Sequence, residues 1–275
     1  MYRKRLRILF GVAGATLLTG CSESSEQRPF DFATGTWHDL SYDLSSETVY
    51  WPTAEPFRLD TVAYGETEGG FFYSAFSFRA AEHGGTHLDA PIHFSAGRRS
   101  VDEIPLEDLI GPAVVIDVSA NTEGDTDYLV SVSDIQEWEA VYGVIPPGAM
   151  VLLNTGHGSN WPDPLSYLGT ELRGPDAVPL LHFPGLDPAT AQWLVDNRSI
   201  RGVGLDTPSI DYGQSQTFES HRILAGRNIL IFENVAHLDA IPPTGALLIA
   251  APMKIRGGSG APVRLLAFVP QSDVN

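Results

Sequence analysis

The stretch that begins at residue 82 and reads EHGGTHLDAPIHF holds a dense group of side chains able to do chemistry. Its odd-numbered positions carry the imidazoles and the carboxylate, at His83, His87, Asp89 and His93. In an extended backbone, residues two apart project to the same side, so we predict that these four side chains share one face. A helix is excluded because the glycine pair 84–85 and Pro91 would interrupt it. The predicted shape is a bulged strand or the loop at a strand end.

This combination of side chains predicts a metal site. Imidazole nitrogens and a carboxylate together suit a divalent ion such as Zn²⁺ or Mn²⁺. His93 lies close enough to serve as a proton carrier and need not be a ligand. The alternative is a chance cluster of ordinary core or surface histidines, which the interleaved Asp89 makes the weaker interpretation.

A second polar pair, His221 and Glu233, lies twelve positions apart near the end of the chain. Glu233 follows the apolar run 229–232, so it is expected to end a buried strand, where an unpaired carboxylate is costly. Each residue alone is more often a hydrogen-bonded structural residue. Beside the first group, the pair could complete a site for two ions bridged by a carboxylate. Whether one or two ions bind is left open.

The chain begins with a predicted secretory signal over residues 1–20, made of a basic leader and a short apolar stretch. The only cysteine follows at once, and the segment Leu18–Cys21 resembles the lipobox of bacterial lipoproteins, in which this cysteine is lipidated. Residues 21–35 are predicted to be the lipidated Cys21 and a polar tether. A folded domain is expected over 36–275. The expected location is the bacterial cell envelope, lipid-anchored, with the outer membrane favoured because Ser22 follows the cysteine.

Composition limits the partners. The formal charge of −17 becomes −21 once residues 1–20, with four basic and no acidic residues, are removed. Such an acidic surface disfavours nucleic acid and direct binding to anionic lipid, so membrane attachment is expected to depend on the lipid anchor. A single cysteine also excludes an internal disulfide, so stability must come from the core and from bound metal.

The order of apolar runs indicates a mixed α/β domain with a large sheet. Short apolar runs bounded by Gly, Pro and Asp predict strands at 71–78, 113–118, 149–154, 202–205, 229–232, 246–250 and 263–269. One helix is predicted over 187–195, where Asp187 is the cap and Pro188 the first helical residue.

These residues resemble the cyclase-like metal-dependent hydrolases, the family that includes bacterial kynurenine formamidase and isatin hydrolase. The family pattern His-x-Gly-Thr-His-x-Asp-x-Pro-x-His is matched at every fixed position from His83 to His93. Further matches extend the resemblance over about residues 38–270. It implies a single-domain, mixed-sheet β/β/α (swivelling) fold that assembles as a homodimer or larger.

The resemblance also implies roles. The first ion would be held by His83, His87 and Asp89, and a second by His221 with Asp89 and Glu233 as bridges. His93 would be the catalytic proton carrier, and Trp51 would face the ring of the substrate. Thr86 and Ser220 are expected to orient ligands or water.

We therefore predict a metal-dependent hydrolase that uses metal-activated water to cleave an amide, lactam or ester bond of a small molecule that can be aromatic. Predicted export argues against kynurenine breakdown, a cytoplasmic task, as the main role. Two alternatives remain open: a metal-dependent lyase or cyclase, and an envelope lipoprotein that binds a small molecule without turnover.

Overall fold

The computed structural model describes residues 32–271, which lie in one compact unit. The predicted signal peptide, Cys21 and most of the tether lie outside the described residues, so those predictions stay predictions. Among residues 32–271, no helix has the length and apolar character needed to cross a bilayer.

Twelve strands and five α-helices lie in the described range. The strands are β1 (Gly35–Asp39), β2 (Arg58–Glu66), β3 (Phe72–Arg79), β4 (His87–Asp89), β5 (Ile110–Asp117), β6 (Leu129–Val130), β7 (Met150–Asn154), β8 (Gly185–Leu186), β9 (Gly202–Leu205), β10 (Leu230–Glu233), β11 (Ala246–Pro252) and β12 (Gly260–Pro270). The helices are α1 (Ser119–Thr122), α2 (Val132–Tyr142), α3 (Pro164–Leu168), α4 (Pro188–Asn197) and α5 (Glu219–Ala225). All seven predicted strands and the predicted helix are confirmed, with ends that differ by a few residues.

The main sheet closes on itself. Its strands follow the order β12, β11, β5, β7, β9, β10 and β4, and β4 then pairs with β12. Neighbours from β5 to β10 are parallel, whereas β4, β11 and β12 pair antiparallel with their neighbours. β1 pairs antiparallel with the C-terminal part of β12, residues 266–270. The prediction of a mixed-sheet α/β fold is therefore confirmed, and the sheet has the form of a barrel.

Alternation along the strands divides the core into two parts. Leu152 and Phe232 point into the closed sheet, where they belong to one buried apolar cluster. Val151 and Ile231 point outward into a second cluster beneath the helices, which includes Leu224 of α5. Because side chains alternate along a strand, Glu233 has the same parity as Ile231 and faces outward, next to α5.

β2 and β3 form a separate antiparallel hairpin that does not join the main sheet. One of its faces carries large apolar side chains that are about half exposed or more, at Leu59, Tyr64, Phe72, Phe76 and Phe78. The segments that lead into and out of the hairpin, at Ala54 and Ala81, line an apolar cavity of about 290 Å³. The hairpin thus starts at the edge of that cavity.

Candidate active site

The site is built on the pairing of β4 with β10. Glu233 lies directly opposite His87, and Ile231 lies opposite Asp89. Directly opposed side chains of an antiparallel pair point to the same side, so the two acids and His87 meet on the outer face of the sheet. The His87 Nε2 atom is 3.2 Å from Glu233 Oε2 and 3.2 Å from Asp89 Oδ1.

The prediction that His83 and His93 lie on the same strand face as these residues is wrong. β4 is only three residues long, because the glycines before it and Pro91 after it end the regular strand. His83 reaches the site from the preceding loop, and His93 ends a one-turn 3₁₀ helix, Pro91–His93. Both nevertheless converge on Asp89: His83 Nδ1 is 2.7 Å from Asp89 Oδ1, and His93 Nε2 is 3.9 Å from Asp89 Oδ2.

A glycine on the last strand makes room for His83. Gly260 pairs with Asp89 across the β12–β4 ladder. A Cβ atom at Gly260 would lie 2.5 Å from His83 Cε1 and 2.6 Å from the Leu88 carbonyl oxygen, which is closer than packed atoms approach. The bare backbone therefore lets the His83 ring lie beside Asp89.

His221 comes from α5 and completes the cluster. Its Nε2 atom is 3.0 Å from Glu233 Oε1 and 3.2 Å from Asp89 Oδ2. Its other ring nitrogen, Nδ1, donates to Asp211 Oδ2 at 2.6 Å. The same carboxylate accepts the backbone N–H groups of Ser220 and His221 at the start of α5. Asp211 therefore fixes both the helix end and the ring, the arrangement that orients metal-ligating histidines.

Sequence reasoning missed Asp211, and it misassigned two hydroxyls. The Thr86 hydroxyl donates to the Asn234 carbonyl at 2.6 Å, and the Ser220 hydroxyl donates to the Leu186 carbonyl at 2.7 Å. Both bonds join backbone segments and direct neither hydroxyl to the cluster. The sequence signal that could have pointed to Asp211 is its position ten residues before His221, in the loop that leads into α5.

The hydrogen bonds fix which nitrogens face the acids. His87 Nδ1 donates to the Gly85 carbonyl at 2.9 Å, which leaves Nε2 directed at Asp89 and Glu233. The Ser259 hydroxyl donates to Glu82 and lies 2.9 Å from His83 Nε2, which leaves Nδ1 of that ring toward Asp89. The cluster thus presents imidazole nitrogens and carboxylate oxygens toward one another.

This donor set fits a divalent cation. His87 Nε2 and Asp89 Oδ2 are buried and have no hydrogen-bond partner, although such orphaned groups are costly inside a protein. Two sets of side chains offer ligand atoms within 4.8 Å of one another: His83, Asp89 and His93, and His87, Asp89 and Glu233. Nitrogen and carboxylate ligands of this kind suit zinc, manganese and similar ions.

The acids also govern the pKa values of the histidines. Burial lowers the pKa of His87, but the adjacent carboxylates of Asp89 and Glu233 outweigh it and raise the pKa to about 10. Burial likewise lowers the pKa of His221, but Asp211, Asp89 and Glu233 raise it well above its usual value. His93 is the exception, because burial lowers its pKa to about 4 despite the nearby Asp89. The acid pair therefore attracts positive charge, while His93 stays neutral.

The cluster lies on the wall of a cavity of about 290 Å³. Trp51 lines this cavity together with Phe94 and Phe218, and its contact with a substrate ring stays a prediction. The Trp51 ring lies 6.3 Å from the Phe218 ring and 6.4 Å from that of Phe183, edge-on in both cases. A small apolar cavity with a few polar groups at one wall is the usual form of a small-molecule site.

A closed mixed sheet that carries an acid–histidine cluster beside an aromatic cavity defines a metal-dependent hydrolase site. Residues 38–212 match the model of the Cyclase family, described as "Putative cyclase". The chain belongs to this family.

Relatives of known activity agree with the predicted chemistry. The isatin hydrolase of Roseibium aggregatum is 34% identical over 216 residues, which cover 75% of this chain and 79% of that protein. The kynurenine formamidase of Salinibacter ruber is 31% identical over 226 residues, 82% of this chain and 94% of that protein. A solved isatin hydrolase bound to the product analogue thioisatinate is 30% identical, with a TM-score of 0.78 over 87% of this chain and 94% of that chain. The prediction of a hydrolase that acts on C–N bonds is confirmed.

Proposed function

We propose that this protein hydrolyses the C–N bond of a small aromatic amide or lactam, with one or two Zn²⁺ or Mn²⁺ ions held by the acid–histidine cluster. The observation that carries the proposal is the convergence of six ionisable side chains from three stretches of the chain, 83–93, α5 and β10, beside an aromatic cavity. A bound divalent ion lowers the pKa of water toward about 7 and so supplies hydroxide near neutral pH.

Most residues of the cluster would hold metal ions, and one would carry protons. His83, His87 and Asp89 would hold a first ion, and His221 with Glu233 and Asp89 would hold a second. The two acids are buried and flanked by imidazoles, so each holds its orientation before substrate arrives.

His93 is proposed as the proton carrier. It lines the cavity, its side chain is 29% exposed, and its ring stacks on His83 with centroids 3.9 Å apart. Its low pKa keeps it neutral at pH 7, so it can accept a proton from water and return it to the departing amine. Such acid–base assistance is worth about 10²- to 10⁴-fold in rate.

Turnover tests the proposal. The purified protein, loaded with Mn²⁺ or Zn²⁺, should hydrolyse isatin or formanilide, and a chelator should abolish the reaction. His182→Ala is the control, because His182 is exposed, pairs with Asp127 and lies away from the cluster. A product without added water would favour the lyase or cyclase alternative, and tight binding without turnover would favour the binding lipoprotein.

We propose further that the protein acts as a homodimer. The apolar face of the β2–β3 hairpin supports this, since an isolated two-stranded ribbon is marginally stable in water and this one packs little against the rest of the chain. Its half-exposed aromatics together present roughly 500 Å², a large part of the ~800 Å² per partner of a standard interface.

The location is also a proposal. The lipobox-like segment at Leu18–Cys21 supports attachment of the mature chain to the bacterial envelope, with the outer membrane favoured. Cys21→Ser should release the protein from the membrane fraction, and a variant that stays in the pellet would contradict lipidation.

A further inference from the structure

One bulky residue of the cavity wall has an unfavourable backbone. Phe218, the residue before α5, has φ 47° and ψ 50°, which is the left-handed conformation. For a residue other than glycine this conformation is disfavoured by contact between Cβ and the backbone. Bulky side chains held this way are found where the surrounding structure imposes the position.

The loop that leads into α5 imposes this position. The Phe218 backbone N–H donates to the Ser215 hydroxyl at 3.2 Å, and the Phe218 carbonyl accepts the N–H of Arg222. The next two backbone N–H groups that follow Glu219 are held by Asp211, which also holds His221. The backbone that carries the Phe218 ring is therefore tied to the same anchor as a side chain of the cluster.

The ring completes an aromatic enclosure. It lies 5.5 Å from the Phe94 ring and 6.3 Å from the Trp51 ring, and the Phe94 ring lies 4.2 Å from His221. All three aromatic side chains line the cavity beside the acid–histidine cluster. Surfaces of this kind favour flat aromatic groups, which pack offset-stacked or edge-to-face.

We propose that Phe218 is a specificity-determining residue whose ring selects planar aromatic amides and lactams. The inference rests on the proposed hydrolase function and deepens it. The strained backbone is retained because it places the ring against the substrate.

Two substitutions separate the effect of backbone strain at Phe218 from the effect of its ring. Phe218→Ala and Phe218→Gly both remove the ring, but only glycine adopts the left-handed conformation at no steric cost. The glycine variant should therefore melt about 2–6 °C above the alanine variant. Asn228→Gly is the control, because Asn228 is also left-handed (φ 58°) but does not line the cavity; its activity should match the wild type.

Selectivity is the decisive readout. In both Phe218 variants, the preference for isatin over the non-aromatic imide succinimide, measured as the ratio of kcat/KM values, should fall at least tenfold. Calorimetric titration with the same two probes measures the preference without turnover. Isatin that binds but is not hydrolysed by the wild type would overturn the proposed function alone; an unchanged preference in the variants would overturn the role of Phe218.

Discussion

Glu233 and His87 face each other across the β4–β10 ladder, with Oε2 of the acid 3.2 Å from Nε2 of the ring. Both side chains are almost fully buried. The pair joins the histidine-rich segment to a strand almost 150 residues later, so the metal centre depends on tertiary pairing.

Glu233→Gln keeps the shape of the side chain and removes its charge. We expect the affinity for a divalent metal ion to fall about 10- to 100-fold, because a buried carboxylate ligand is lost. Competition with a chromogenic chelator measures the change. Glu219→Gln, at an exposed position of α5, is the matched control. Unchanged affinity in the Glu233 variant would exclude this residue as a ligand.

Metal binding should release protons. Near pH 8 the metal-free protein holds a proton on His87, whose pKa is raised to about 10, and the surrounding acids also raise the pKa of His221. A ligand must lose its proton to bind, so we expect at least about one proton to be released when the cluster takes up metal. Titration calorimetry in buffers of different ionisation enthalpy counts them.

The same shift predicts the pH dependence of stability. Because the folded pKa of His87 is raised, its stabilising effect in metal-free protein is complete below about 6.5 and is lost as the pH rises through about 10. Thermal melts of metal-free protein between pH 7 and 10.5 should therefore show falling stability, and bound metal should reduce the fall. A flat profile without metal would contradict the prediction.

Asp211→Asn should weaken the cluster without touching a ligand atom. The asparagine cannot carry the charge that stabilises the His221 ring and the start of α5. We expect metal affinity to fall about 10- to 100-fold, as for other partners of ligating histidines. Asp196→Asn on the exposed side of α4 serves as the control. Equal affinity in the two variants would show that Asp211 has no positioning role.

His93→Gln separates proton transfer from metal binding. If His93 is the proton carrier, kcat should fall about 10²- to 10⁴-fold while the metal content measured by mass spectrometry stays the same. If the variant loses metal, His93 is a ligand with His83 and Asp89, a grouping that the geometry also allows.

The apolar face of the β2–β3 hairpin is the interface of the proposed dimer. Phe76→Asp places a charge on this face and should convert the proposed dimer to a monomer in sedimentation or light-scattering measurements. Ser77→Asp places the same charge on the opposite face of β3, so it should leave the dimer intact. Equal behaviour of the two variants would show that this face is not the interface.

Local patterns in the sequence were enough to predict much of this molecule. Apolar runs located the strands, because a buried strand reads as a short apolar segment whatever it pairs with. The spacing of His87 and Asp89 predicted their shared face, since both lie within one strand. Strand spacing could not predict where His83 and His93 lie, because their positions depend on chain reversals next to glycine and proline.

Long-range relationships could not be read from the chain. The pairing of β4 with both β10 and β12 decides that Gly260 faces His83, and no local signal marks that glycine. The role of Asp211 depends on how its loop docks against α5. The exposure of the hairpin's apolar face also could not be predicted from the strand pattern at 71–78, because exposure is a property of the fold and not of the segment.

The place of β4 in the closed sheet determines when the site can form during synthesis. Residues 87–89 are made early, but they close the barrel only by pairing with residues 231–233 of β10 and 260–262 of β12. A nascent polypeptide therefore emerges with its histidines unassembled until nearly the last strand has left the ribosome. If the chain is threaded through a translocase, cation loading must follow transport, and the ion supply of the compartment where folding ends decides which metal is acquired.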